Sequence, residues 1–419
     1  MITNYFQNLR LFRRDVWLFL LTWTIIGFAY SGIFLVLFNL YLLRLGYDLE
    51  YIGLVNGVGM FALAGFSLPA GALGKRWGSR RMMIIGMGLT TLGFGILPLG
   101  ESIPENWQAG WFVATWSLIT FSAPLFNVNM APFLMSVTNQ QERNYAFSLQ
   151  GTLFSLAGFI GSLIAGFLPG IFSTILKIPI SQPAPFRYSL WLICVFYFVG
   201  FLTIFATREE KGEHVHNQVV ESTAAGSLPW VIISILGIIT LLRSTGTWGP
   251  NTFFNVYLEA ELQAKPAMIG LLMAICQLTT GVASLLMPML ADRWGKERVI
   301  GWGLMGVVLS IMPLALISHW MAAEIGFIGI LALSSIVAAA FSVYSQELVA
   351  SRWQAVMSGA NWMGMGMGAS FIIIAGGRII TIYSYKIFFL SAAILTACAG
   401  LLFLGYFRKP RGEFARNLV

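Results

Sequence analysis

The chain has 419 residues, of which 57 % are hydrophobic and only 10 % charged, with a formal net charge of +8. Soluble domains carry about 25 % charged residues, so this shortfall, with a mean hydropathy of +0.77, excludes a soluble globular protein. The same figures exclude disorder, and the length with only three cysteines excludes a small disulfide scaffold.

A spanning helix needs about 20 mostly apolar residues, because each adds about 1.5 Å across about 30 Å of hydrocarbon. Twelve apolar runs meet that requirement, near 16–42, 50–73, 82–100, 109–135, 146–170, 187–207, 229–258, 267–290, 299–318, 325–347, 354–376 and 385–407. They are apolar all round, which suits helices rather than the alternating strands of a barrel. The expected class is an all-α integral membrane protein. No cleavable signal peptide is expected, since Arg10, Arg13 and Arg14 precede the first run and no small-residue cleavage site follows it.

Orientation follows from the basic residues. Besides Arg10, Arg13 and Arg14, one side collects Lys75, Arg76, Arg80, Arg81, Arg143, Arg208 and Lys211. It also collects Arg293, Lys296, Arg298, Arg352, Arg408, Lys409, Arg411 and Arg416. The other side has Arg44, Lys177, Arg187, Lys265, Arg378 and Lys386. The richer side is expected to be cytoplasmic, which puts both termini in the cytoplasm and the protein in the plasma (inner) membrane. The charge therefore reads as a topology signal. No basic soluble domain exists to bind nucleic acid.

The polar stretch after the sixth run, with Glu209, Glu210, Lys211, Glu213, His214 and His216, reads as a cytoplasmic linker. It divides the chain into 1–207, a linker 208–228, and 229–419. The two parts echo each other. Asn39-Leu40-Tyr41-Leu42 matches Asn255-Val256-Tyr257-Leu258, and Gly53-Leu54 matches Gly270-Leu271. Lys75-Arg76-Trp77-Gly78 matches Asp292-Arg293-Trp294-Gly295. Two six-helix units in parallel repeat form a recognised transporter plan.

These residues carry a resemblance. The loop Gly71-Ala72-Leu73-Gly74-Lys75-Arg76-Trp77-Gly78-Ser79-Arg80-Arg81 is similar to the G-x-L-a-D-R-x-G-R-K signature of the major facilitator superfamily, with Lys75 in place of the usual Asp. A second copy runs from Pro288 through Asp292, Arg293, Gly295 and Lys296 to Arg298, with Pro288 in place of the leading Gly. The resemblance spans nearly the whole chain. It implies two pseudo-symmetric six-helix bundles, alternating access and a monomer. It also implies that Gly71, Arg76, Gly78, Arg80, Asp292, Arg293, Gly295 and Lys296 form conformational latch loops. Lys75 cannot take the Asp role. A second reading makes these residues topology charges only.

The interior is poor in chemistry. The seventeen acidic residues and the three histidines all read as peripheral. Glu347 and Asp15 come nearest to a titrating site, and interfacial pairing is the plainer account of both. Arg243 is the exception, because it lies near the middle of run seven, where a charge costs at least about 2.5–3.5 kcal/mol. Thr240, Arg243, Thr247 and Asn251 share one helical stripe, and Gly246, Gly249 and Pro250 are expected to interrupt the helix beside it. Arg243 reads either as a contact to an anionic or carbonyl-rich solute or as a structural donor to carbonyls of the broken helix. By the resemblance, runs 1, 4, 7 and 10 face the cavity and 2, 5, 8 and 11 flank it. That adds Tyr30, Asn56, Asn127, Gln277, Asn361 and Trp362 as candidates, each also explicable by interhelical hydrogen bonding.

The alternating Met363-Gly364-Met365-Gly366-Met367-Gly368 reads as close helix packing rather than a metal site, and Cys194, Cys276 and Cys398 as free buried thiols. No metal cluster, cofactor motif or nucleophile motif is present, so no enzyme is expected. The expected function is alternating-access transport of a small organic solute, anionic or zwitterionic by virtue of Arg243. The alternatives are efflux of lipophilic compounds, against which the missing Gly-Pro motif of run five counts, and a transporter-like sensor without turnover. The coupling ion is not legible.

Overall fold

The computed structural model describes residues 12–138, 140–208, 230–349 and 354–407. Beyond Arg208, the expected linker lies outside them, as do Arg10, Lys211, Arg352 and Arg408. Twelve helices are long and apolar enough to cross a membrane. They are α1 (Arg14–Arg44), α2 (Leu49–Trp77), α3 (Ser79–Ser102), α4 (Glu105–Val137), α5 (Gln140–Leu176) and α6 (Ala184–Phe205) in the first bundle. The second holds α7 (Trp230–Ala260), α8 (Pro266–Trp294), α9 (Lys296–Leu316), α10 (Trp320–Glu347), α11 (Gln354–Ile382) and α12 (Tyr385–Phe407). No strand occurs among the described residues. Several helices outrun their apolar runs, because charged ends such as Lys75, Arg76 and Arg293 still take helical form at headgroup depth.

The two repeated loops have matching conformations. Gly78 closes α2 and opens α3 at φ +93°, and Gly295 does the same between α8 and α9 at φ +82°. Only glycine adopts that conformation at little cost, which accounts for both residues. On the same side of the membrane, Asp15 accepts a 2.8 Å bond from the Arg208 amide, tying the start of α1 to the end of α6. We call this the termini side and its opposite the far side.

The bundles meet through α1 and α7, α2 and α11, and α5 and α8. Small residues set the distances. A β-carbon on Gly53 would lie 2.7 Å from Ile373 O, and one on Gly270 would lie 2.6 Å from Gly166 Cα. With lipid outside as apolar as the helices, close backbone approach of this kind drives association. The Met-Gly run follows the same logic: Gly364 and Gly368 face α7 while Gly366 meets Ala64 of α2.

Two features depart from the sequence reading. Despite Pro250, α7 is continuous from Trp230 to Ala260, with Gly246 seated against Thr396 and Gly249 against Ile372 and Phe388, because neighbouring helices let a spanning helix tolerate proline. The irregular stretch is instead in α1, where Gly27–Phe34 is π-helical. Cys398 is exposed at the bundle surface, whereas Cys276 is buried.

Candidate functional site

The site is built from the middle of the first bundle outward. Phe34, Phe38, Phe94, Trp116 and Tyr197 stack or tilt against one another with ring centroids 4.6–5.4 Å apart. The π segment of α1 feeds this cluster. Gly27 and Gly32, five residues apart, both face α5, at Phe154 and Gly161. That i, i+5 spacing is the span of a π-helical hydrogen bond, and Tyr30 lies between the two glycines.

Against the cluster lies a cavity of about 230 Å³. Aromatic rings dominate its wall: Trp23 and Tyr30 from α1, Trp116 and Phe126 from α4, Phe154 from α5 and Tyr197 from α6. Trp248 of α7 and Trp362 of α11 complete the wall from the other bundle. Met60, Met87 and Met365 fill between them, and Thr90, Thr120 and Asn127 supply the polar groups. Among the described residues, no charged side chain lines it. A smaller pocket of about 20 Å³ adjoins on the far side, sharing Tyr30, Met60, Trp116 and Trp248 and adding Asn39, Asn56, Asn251 and Thr252.

On the far side of both cavities the bundles are joined. Asn39 Nδ2 donates to Thr252 O at 2.6 Å, and Asn255 Nδ2 donates to Val36 O at 2.9 Å and Leu35 O at 3.2 Å. Arg44 of α1 pairs with Glu259 of α7 and stacks over Phe186 at 5.2 Å. The far side is therefore closed in this structure.

The polar candidates divide. Tyr30 and Asn127 line the larger cavity and Asn251 the smaller. Thr240 donates to Asn361 at 3.3 Å, Asn361 donates to Ser345 at 2.9 Å, and Thr247 bonds Ser334 at 2.8 Å, all within the second bundle. Gln277 donates to Ser31 at 2.6 Å across the α8–α1 contact. Arg243 lies off both cavities. Its guanidinium sits 4.8 Å from the Phe341 ring centroid, and its Nε is buried without a hydrogen-bond partner. Among the described residues it makes no hydrogen bond to a helix carbonyl.

Among the latch residues, Arg80 bonds Phe205 O at 2.9 Å and Thr207 Oγ1 at 3.2 Å, satisfying the end of α6. Lys296 pairs with Glu347 inside the second bundle. Gly71 faces Val128 of α4, and Arg76 and Arg293 are exposed. The Asp292 side chain lies outside the described ones. The contacts found for these residues run within a bundle.

Sequence reasoning reached two rings of the aromatic wall, Tyr30 and Trp362, and missed the other six, because it searched mainly for polar groups on apolar helices. The 14 % aromatic content was the available signal, but it does not say which rings converge. It also placed Glu324 at a span end. The structure buries Glu324 to 6 % exposure between α10 and α8, with Cys276 Sγ at 3.4 Å and Oε2 unpartnered. Among the described residues, no group of three or more metal-ligating side chains occurs.

Three comparisons place the chain. The family model of the Major Facilitator Superfamily matches residues 18–237 and 236–418. The multidrug resistance protein MdtH of Yersinia enterocolitica is 23 % identical over 343 residues, covering 80 % of this chain and 79 % of that one. An uncharacterized MFS-type transporter of Mycobacterium tuberculosis is 23 % identical over 277 residues, covering 64 % and 60 %. Among solved structures, the nucleoside transporter NupG superposes with a TM-score of 0.71 at 13 % identity, covering 94 % of this chain and 100 % of that one. A D-xylose-proton symporter gives 0.71 at 12 %, covering 95 % and 98 %. With both six-helix bundles matched, this chain belongs to the major facilitator superfamily of membrane transporters.

Proposed function

We propose that the protein exports a neutral or weakly polar aromatic solute across the plasma (inner) membrane by alternating access. The observation that carries this reading is the cavity wall: eight aromatic side chains, three methionines and, among the described residues, no charge. Offset and edge-on ring contacts are each worth about 0.5–1.5 kcal/mol beyond area burial, and methionine adapts to varied shapes. The basic-residue bias favours a cytoplasmic termini side, which puts the far-side seal between the cavity and the exterior. The MdtH relatives are named multidrug resistance proteins, and export of varied solutes is one route to such resistance. A second reading rests on Arg243: a guanidinium within an apolar helix, its Nε unpartnered, suits an anionic solute.

Thermal unfolding of the purified protein separates the two, because a ligand of the folded state raises the melting temperature by mass action. N-phenyl-1-naphthylamine, a neutral aromatic, is expected to raise it saturably. Ala123→Phe, which fills the cavity, is expected to abolish that rise. If 2-naphthoate stabilises and the neutral compound does not, the aromatic-solute reading fails and the Arg243 reading replaces it.

A further inference from the structure

The sequence repeat Asn39-Leu40-Tyr41-Leu42 and Asn255-Val256-Tyr257-Leu258 has an offset of 216 residues, and the same offset relates the backbone acceptors. Asn39 bonds the Thr252 carbonyl and Asn255 bonds the Val36 carbonyl. The pseudo-two-fold axis thus maps one cross-bundle hydrogen bond onto the other. Asn255 Oδ1 also accepts from its neighbour's amide, Val256 N, at 2.9 Å. That amide would pair with Thr252 O in a regular helix, and Thr252 O is the carbonyl that receives Asn39.

The other end of each asparagine breaks the symmetry. Asn39 Oδ1 accepts from Asn56 Nδ2 at 2.9 Å. The position equivalent to Asn56 in the second bundle is Met273. Asn39 and Asn56 line the small pocket that adjoins the aromatic cavity. Asn251 lines it too, and its amide makes no hydrogen bond to a described residue. A volume of about 20 Å³ on this measure fits one hydroxyl or N–H group, since a single water needs about 10–15 Å³. A carboxylate or phosphate is too large, and no cation lines the pocket to neutralise one.

Building on the aromatic-solute reading, we infer that Asn56, Asn251 and Asn39 receive one neutral hydrogen-bonding group of the solute. Because Asn39 is also half of the two-fold clamp with Asn255, that contact releases the far-side seal. A solute N–H or O–H that donates to Asn39 Oδ1 displaces the Asn56 amide now bonded there. The clamp then loses support on one side only. A ligand shifts an equilibrium only by interacting differently with its two states, and this competition supplies the difference.

The test uses a cysteine-free background with spin labels at Lys177→Cys and Lys386→Cys, exposed far-side positions on opposite bundles. Their distance distribution is read by pulsed dipolar spectroscopy in nanodiscs. N-phenyl-1-naphthylamine is expected to move most of the distribution to longer distances. 1-Phenylnaphthalene, of similar shape without the N–H, is expected to raise the melting temperature without moving it. Asn56→Leu, which removes that support permanently, should bind both compounds and show longer distances already without ligand. Asn39→Leu and Asn255→Leu, from opposite bundles, should each show the long distances without ligand.

Equal lengthening by both compounds overturns the sensing role. An unchanged ligand-free distribution in both folded clamp variants overturns the clamp. If neither compound raises the melting temperature, the aromatic-solute reading falls and the sensing role with it, while the ligand-free variants still decide the clamp.

Discussion

Arg243 shows how little a residue type says before its neighbours are known. A guanidinium near the middle of an apolar helix looks like a binding group, and its insertion is costly. In the fold it faces the Phe341 ring, a cation–π contact worth about 0.5–2 kcal/mol, which leaves part of that cost uncompensated. Arg243→Met keeps the stem and removes the charge. It is expected to stabilise the protein by about 1 kcal/mol or more, and to leave the affinity for N-phenyl-1-naphthylamine within about twofold, since Arg243 is off the aromatic wall. Thermal unfolding and a binding titration read both effects. A lowered melting temperature would show that the guanidinium has a partner that matters.

Among the helices, glycine placement decides which side can close. Gly53 and Gly270 are the second repeat pair, and each lets its helix meet the other bundle near the far side. Gly270→Val would put a β-carbon 2.6 Å from Gly166 Cα and 2.7 Å from Ser162 O, both backbone atoms that cannot swing aside. The variant is expected to disfavour the far-side-closed state and slow transport at least tenfold, whereas Gly405→Val, with nothing within 4 Å of its β-carbon, should behave as wild type. Far-side label distances and transport into vesicles check both. A closed, fully active Gly270→Val would show that α5 and α8 separate without opening the seal. The π segment of α1 belongs to this scale too. Its five-residue spacing of Gly27 and Gly32 is visible in the sequence, yet the regular 3.6 period hides it.

For the whole molecule, three kinds of contact seal the far side: the paired asparagines, the close glycines and the Arg44–Glu259 ion pair. The ion pair is partly exposed, so about 0–1 kcal/mol is its expected share. Arg44→Glu should lower the closed population by at most about fivefold. Adding Glu259→Arg should restore it, and high salt should narrow the difference. The label distances read this directly, and a double variant no better than the single one would assign the effect to Phe186 stacking rather than charge. A seal made of weak neutral bonds and one modest ion pair suits a carrier, because a far-side-closed state held too firmly would never turn over.

Much of this architecture was written in the chain itself. Twelve spans and their two-fold repeat follow from apolar run length and three matched motifs, because the bilayer imposes one length on every span. What the repeats are for was not legible. Asn39 and Asn255 were two letters in a pattern until folding set each against the other bundle's backbone. Most of the aromatic wall was equally hidden, since Trp and Phe occur on nearly every span and only helix rotation selects those that converge. Glu324, near a helix end in sequence, is buried because α8 covers it. In each case the deciding quantity is the position of one helix against another, which is set by long-range packing and has no local period to read.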